Sequence, residues 1–372
     1  MATAALKRKP QKREIELDFI RGIAILMVMD YHGLCFGLLA PFGWLGFNNF
    51  GWAGVDVFFV LSGFLVGGLL VKEWTLKGRI DSKQFLIRRG FKIWPQYYAF
   101  ILLNLISGHR TLHQLWGNLL NIQNYVGGIA HTWTLAVEEH AYLLIVALLG
   151  IAAWRKARMR HIFLLVAALA FSSIAWSFFL ALRGFNISTR TDTRIAGILF
   201  GLLLAILYHH TPQLFERLQN KRLLWLSVIV GVLLELRFVS PTASWVFPFG
   251  IASADVMAVA VLLLLYRHRE GHTRPALYRL VAWIGLYSYG IYLWHGSFIT
   301  TIASLTRHIP SRFAPEIMSV IQALSAIAVG VLATKVIEFP ALRLRERLFP
   351  RRVDSAVGVP AELEVETGTA AI

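Results

Sequence analysis

The sequence predicts an all-α fold: a polytopic transmembrane bundle of about ten helices with both termini in the cytoplasm. Three observations carry that expectation. Apolar residues make up 56% of the 372 and charged residues only 16%, where an ordinary soluble domain carries about 25%. Apolar runs of about 20 residues, long enough to span a bilayer, recur along the chain. Between them the basic residues alternate in density, with 28 Lys and Arg on one side and 7 on the other. Such a bias places the richer side in the cytoplasm.

The expected spans are 17–40, 52–71, 93–107, 132–153, 162–182, 193–208, 223–238, 246–266, 280–303 and 316–337. The run at 193–208 is short enough to be a partial or tilted span. Residues 1–16 form a basic cytoplasmic N-terminus, 17–350 the membrane domain, and 351–372 a small-residue, acidic cytoplasmic tail expected to be disordered. KRKPQKR followed by an apolar run imitates a signal peptide, but the run carries charges and lacks a small-x-small cleavage site. It is expected to stay as the first helix. The formal charge of +16 is spread over short clusters between apolar runs, with no zinc spacing and no recognition helix, so a nucleic-acid partner is excluded. The one cysteine, Cys35, allows no intramolecular disulfide.

Topology gives each polar residue a depth. Arg21 and His32 in LDFIRGIAILMVMDYHGLCF are eleven residues apart, so on a helix they share a face and stand about 16 Å apart along the axis. Ionisable groups in hydrocarbon are costly and usually face a bundle interior or a wet cavity. His32 falls in the outer half of the membrane, level with His295 in YSYGIYLWH. Asp56 in GVDVFFVLSGFL, His131, Glu138 and Glu139 in HTWTLAVEEHAYL, and Asp192 and Arg194 in TDTRIAGILFG also start at the outer side. Five helices thus contribute ionisable groups to one layer, which points to a cavity. His131 has no metal-ligand spacing around it, and no metal is expected. On the cytoplasmic side Arg88, Arg89 and Lys92 lie within about one turn, before a Pro95 that either starts or kinks the third helix. Clustered Arg suits a phosphate-bearing ligand, and the same cluster also serves as a topology determinant.

These motifs, in this order, resemble the acyltransferase 3 family of integral-membrane O-acyltransferases along nearly the whole chain, to about residue 350. The matches are LDFIRGIAILMVMDYH, GVDVFFVLSGFL, RRGFKIWP, HTWTLAVEEHAYL, DTRIAGILFG, YSYGIYLWH and IEFP. The resemblance implies a bundle of about ten membrane helices in the bacterial cytoplasmic (inner) membrane, embedded in membrane lipid. It implies transfer of an acyl group, acetyl above all, from cytoplasmic acyl-CoA to a sugar hydroxyl of a surface glycan or its lipid-linked saccharide precursor. Arg21 and His32 match the family's essential Arg and His, Arg88 and Arg89 its basic donor motif, and Glu138 and Glu139 its acidic pair. Lys92, His140 and Phe339 depart from the usual residues. The sequence shows no extra extracytoplasmic domain of the kind some members carry, so a single activity is expected.

The expected mechanism places the phosphates of acetyl-CoA on Arg88, Arg89, Lys92 and Arg21, and the thioester near His32. Imidazole has the basicity to take a hydroxyl proton near neutral pH. Asp30 is two residues away and faces elsewhere, so Asp56 or Glu138 is the expected carboxylate partner. His295, Asp192, Arg194, Glu139 and His131 are the expected acceptor-binding groups. Two alternatives stay open: acylation of a small glycoside such as an antibiotic sugar, and a proton-coupled solute transporter that does no chemistry.

Overall fold

The computed structural model describes residues 14–34, 50–236, 239, 246–266, 274–296 and 315–350. Cys35, most of the basic N-terminus, the outer end of the ninth expected span and the tail 351–372 lie outside the described residues. Among the described residues the fold is all-helical, with no strand. The main helices are α1 (Ile15–Tyr31), α2 (Gly51–Lys77), α3 (Ser82–Ile106), α4 (Leu112–Leu119), α5 (Ala130–Trp154), α6 (Met159–Leu182), α7 (Ala196–His210), α8 (Pro212–Gln219), α9 (Arg222–Leu236), α10 (Phe247–Leu265) and α11 (Ala276–Leu286). After a break at Tyr287 the chain is helical again over 288–296, and α12 (Pro315–Ala333) runs through a π-helical turn, Thr334–Glu338, into α13 (Phe339–Leu348).

Among the described residues five helices are long and apolar enough to cross a membrane: α2, α5, α6, α10 and the Ser319–Leu348 stretch. The bent pair α7–α8 gives a sixth if it is counted as one span. Thr211 and Pro212 bend that pair by 117°. A proline has no N–H to continue the ladder, and it drives the residue before it out of helical geometry. Leu102, Ile106, Trp154, Leu182 and Leu223 are exposed on the outside of the bundle, which suits a lipid-facing surface.

Two differences from the sequence expectation matter for the site. The third helix begins at Ser82, where the Asp81 side chain accepts the Gln84 N–H, and it continues through Pro95. Arg88, Arg89 and Lys92 are therefore on a helix and not in a loop. The first helix stops at Tyr31, so His32 is its C-cap and not a mid-span residue. Gly33, at φ +78°, ends it: the Gly33 N–H reaches the Asp30 carbonyl at 2.8 Å and the Leu34 N–H reaches Met29 at 2.9 Å. That is the double bond pattern of a glycine-terminated helix.

Glycines set the two closest crossings. A Cβ on Gly285 would lie 1.8 Å from the Asp18 carbonyl oxygen, and one on Gly22 would lie 2.0 Å from that of Val281. Phe19 stacks on Tyr278 and Glu16 pairs with Arg274, so α1 and the α11 segment run side by side in the same direction. Likewise a Cβ on Gly63 would lie 1.8 Å from the Ile198 oxygen and one on Gly201 2.1 Å from that of Val60. This locks α2 against α7, also in parallel. Gly63 opens the π-helical turn Gly63–Gly67, a helix irregularity often found at functional sites. Gly285→Val should lower the thermal unfolding temperature of the detergent-purified protein, because overpacking a tight core costs about 1–3 kcal/mol. Gly231→Ala, on a glycine with nothing within 4 Å of its Cβ position, should leave that temperature unchanged or raise it.

Candidate active site

The C-cap position of His32 decides its chemistry. Its backbone N–H and its Nδ1 both reach the Val28 carbonyl, at 3.2 and 2.9 Å. A carbonyl only accepts, so Nδ1 carries a proton, and in the neutral ring Nε2 keeps its lone pair. Two more histidines are held the same way. His295 donates from Nδ1 to the Tyr292 carbonyl at 2.5 Å, and His131 donates from Nε2 to the Leu293 carbonyl at 3.0 Å. The His32 and His295 rings are 4.9 Å apart and those of His295 and His131 are 5.0 Å apart. His295 is fully buried, with its Nε2 unpartnered among the described residues, while His32 is exposed. Tyr292 braces the group: its hydroxyl donates to the His131 carbonyl at 2.6 Å and accepts from Thr134 at 2.8 Å. A cavity of about 150 Å³ opens beside them, lined by Val28, His32, Trp52, His131, Arg194 and Tyr292 among others.

Arg194 closes one wall of that cavity. It comes from the short helical turn Thr191–Arg194 that leads into α7, and its Nη2 donates to Asp56 Oδ1 of α2 at 2.8 Å. Both side chains are almost fully buried, and the guanidinium stands 5.3 Å from the centre of the Trp133 ring. Asp56 is thus committed to Arg194 and does not orient His32. Asp192 is elsewhere: it takes hydrogen bonds from Arg190 at 2.9 Å, Trp176 at 2.7 Å and Tyr125 at 3.1 Å. The neighbouring Asp192 and Arg194 therefore serve different places.

The basic cluster forms a second centre. Arg88 pairs with Glu346 at 2.6 Å, and Arg345 donates to the same carboxylate at 2.5 Å. Lys92 pairs with Glu338 at the π-helical turn. Arg89 lies 4.8 Å from the Tyr142 ring centre. The Tyr142 hydroxyl donates to Glu138 at 3.1 Å and is 2.6 Å from Ser62 Oγ. Glu138 therefore belongs with Arg89 and not with His32. Glu139, its neighbour, has a buried Oε1 with no hydrogen-bond partner among the described residues. Arg21 pairs with Asp18 at 3.0 Å, one helical turn away.

Among the described residues no group of three or more His, Cys, Asp and Glu is arranged to hold a metal ion. The sequence reading missed Asp255, Glu338, Arg345 and Glu346. Asp255 is the one charge in the apolar run of α10, the same signal that marked Asp56. Arg345 and Glu346 are hidden in a basic segment that reads as a topology determinant.

A family profile described as an acyltransferase domain matches residues 14–338. The chain belongs to the acyltransferase 3 family. It is 27% identical to the peptidoglycan O-acetyltransferase OatA of Listeria monocytogenes, over 90% of this chain and 56% of that protein. A putative O-acetyltransferase of Staphylococcus aureus is 25% identical over 77% of this chain and 51% of its own length. The putative peptidoglycan O-acetyltransferase YrhL of Bacillus subtilis is 26% identical over 75% and 47%. The chain thus spans about half the length of the curated relatives it matches. No solved structure matches it. As a member of this family with five or six apolar helices of spanning length, it is a multi-pass membrane protein.

The tautomer of His32 is open to direct measurement. In ¹⁵N-histidine-labelled protein, the resonances that vanish in His32→Gln should show a protonated Nδ1 and an unprotonated Nε2. The reverse assignment would mean that the Val28 bond is absent in solution.

Proposed function

We propose that this chain is an O-acyltransferase of the bacterial cytoplasmic membrane, moving an acetyl group from cytoplasmic acetyl-CoA to a sugar hydroxyl of a surface glycan. Peptidoglycan, named in two of the relatives, is the first acceptor to test, and a lipid-linked precursor the second. The observation that carries this reading is His32, whose Nδ1 is tied to the Val28 carbonyl and whose ring lines a cavity with the cation Arg194 on its wall. The parallel run of α1 with α11 and of α2 with α7 suits a ten-span topology with both termini in the cytoplasm.

In this mechanism Arg88, Arg89, Lys92 and Arg21 hold the donor's phosphates at the cytoplasmic end. Glu346 and Glu338 neutralise Arg88 and Lys92 until the donor enters. His32 Nε2 takes the proton of the attacking hydroxyl as the oxygen bonds to the thioester carbon. Arg194 donates hydrogen bonds to the oxygen that becomes negative. As the carbon–sulfur bond breaks, the imidazolium returns its proton to the departing thiolate, so the protein ends as it began. His131 and His295 line the acceptor's side, with Glu138 and Glu139 steering Arg89. Asp192 bears on the outer surface through Arg190 and Trp176.

Purified protein with labelled acetyl-CoA and muropeptides tests this. His32→Ala should lower transfer at least about 100-fold, as expected for loss of a general base, with acetyl-CoA binding by calorimetry retained. Arg88→Ala/Arg89→Ala should weaken that binding about 10-fold or more, since hydrogen bonds to charged groups are worth about 1.5–3 kcal/mol. A protein that ignores acetyl-CoA but carries solute into vesicles would be a transporter.

A further inference from the structure

Asp255 has no place in the chemistry above, yet its surroundings are specific. It projects from α10 into the Asp56–Arg194 pair, and all three residues are buried, with both aspartates at 0% exposure. Arg194 Nη2 bonds Asp56 Oδ1, which leaves Asp56 Oδ2 and both oxygens of Asp255 without a donor among the described residues. The Asp255 carboxyl sits where Gly197 of α7 and Phe59 of α2 meet, each one helical turn from Arg194 and Asp56 respectively, which brings it against the pair. Room for this contact is made by Gly197 of α7, where a Cβ would lie 2.4 Å from Asp255 Oδ1.

A carboxylate has no proton to offer another carboxylate, so the contact is a hydrogen bond only when one of the two is protonated. Charge leads to the same result. Two carboxylates and one guanidinium leave a net negative charge in an apolar interior, and groups so placed neutralise by taking up a proton. The charged groups acting on Asp255 are Asp56 and Arg194.

We propose that Asp255 and Asp56 share one proton behind Arg194, which makes Asp255 a positioning residue for the cavity. The shared proton closes the ring of contacts at zero net charge. Two carboxyl groups from two helices then fix the guanidinium, whose Nε and Nη1 are buried without hydrogen-bond partners among the described residues, in a side chain that lines the cavity. A neutral trio is a hydrogen-bond donor for an uncharged oxygen, a carbonyl or a hydroxyl, and a poor trap for a carboxylate or phosphate. Arg194 therefore serves the thioester carbonyl or the sugar hydroxyl, and anionic acceptor groups bind elsewhere. This consequence rests on the acyl-transfer reading of the cavity; the shared proton does not.

Infrared difference spectra of the full chain in detergent at neutral pH test the proton itself. Asp255→Asn and Asp56→Asn should each remove a protonated-carboxyl band, because the aspartate left behind ionises against Arg194. Survival of the band in either variant overturns the proposal. Should these variants fail to fold, ¹³C-aspartate-labelled protein carrying Asp30→Asn decides: a protonated aspartate signal supports the pair and its absence overturns it. Kinetics test the positioning. Asp255→Ala should lower kcat about 10-fold with the donor KM unchanged, since small misplacements of a reacting group are costly. Asp255→Asn, which can still donate to Asp56, should restore most of that loss; an Asn variant no better than Ala overturns the positioning role. If the wild type transfers no acyl group, the functional reading fails while the infrared result still stands on its own.

Discussion

The buried bond between Arg194 and Asp56 is the interaction on which the arrangement of this bundle turns. An arginine inside apolar packing is tolerated only if another helix brings it a carboxylate. α2 and the turn before α7 meet that condition because Gly63 and Gly201 let their backbones touch a few residues further along. The small-residue crossing and the ion pair are therefore one device. Together they place a cation where the cavity wall needs it, and Asp255 from α10 adds a third helix to the same knot.

The same rule organises the other end of the molecule. Arg88 and Lys92 on α3 are answered by Glu346 and Glu338 from the C-terminal segment, and Arg89 by Tyr142 of α5. Two helices carry residues of both centres: α2 holds Asp56 and Ser62, and α5 holds His131 and Glu138. In the proposed mechanism, the axial distance between Arg21 and His32, about 16 Å, is the separation that a long donor molecule would bridge. Nothing beyond side chains on shared helices is needed to keep the two centres in register.

Much of this was legible in the sequence. Hydropathy located the five helices of spanning length among the described residues, and the shared depth of His32 and His295 follows from counting residues along two spans. The misplacements have physical causes. Pro95 suits a helix start, but Asp81 caps thirteen residues of basic, amphipathic helix ahead of it. Gly33 announced the end of α1, yet a hydropathy scan gives glycine no stopping power. Spacing could offer Asp56 or Glu138 to His32, but only the fold shows that Arg194 and Tyr142 claim them first and that a backbone carbonyl takes the imidazole proton. Pairing across helices is a three-dimensional competition, and sequence separation does not rank its competitors.

The most direct test of the account is a cryo-electron microscopy structure with a non-transferable acetyl-CoA analogue bound. Phosphate density is expected against Arg88 and Arg89, with the Glu346 carboxylate displaced from Arg88, and the carbonyl of the acyl group beside His32 Nε2 and Arg194. An analogue bound with its acyl end away from His32, or with its phosphates away from α3, would contradict it.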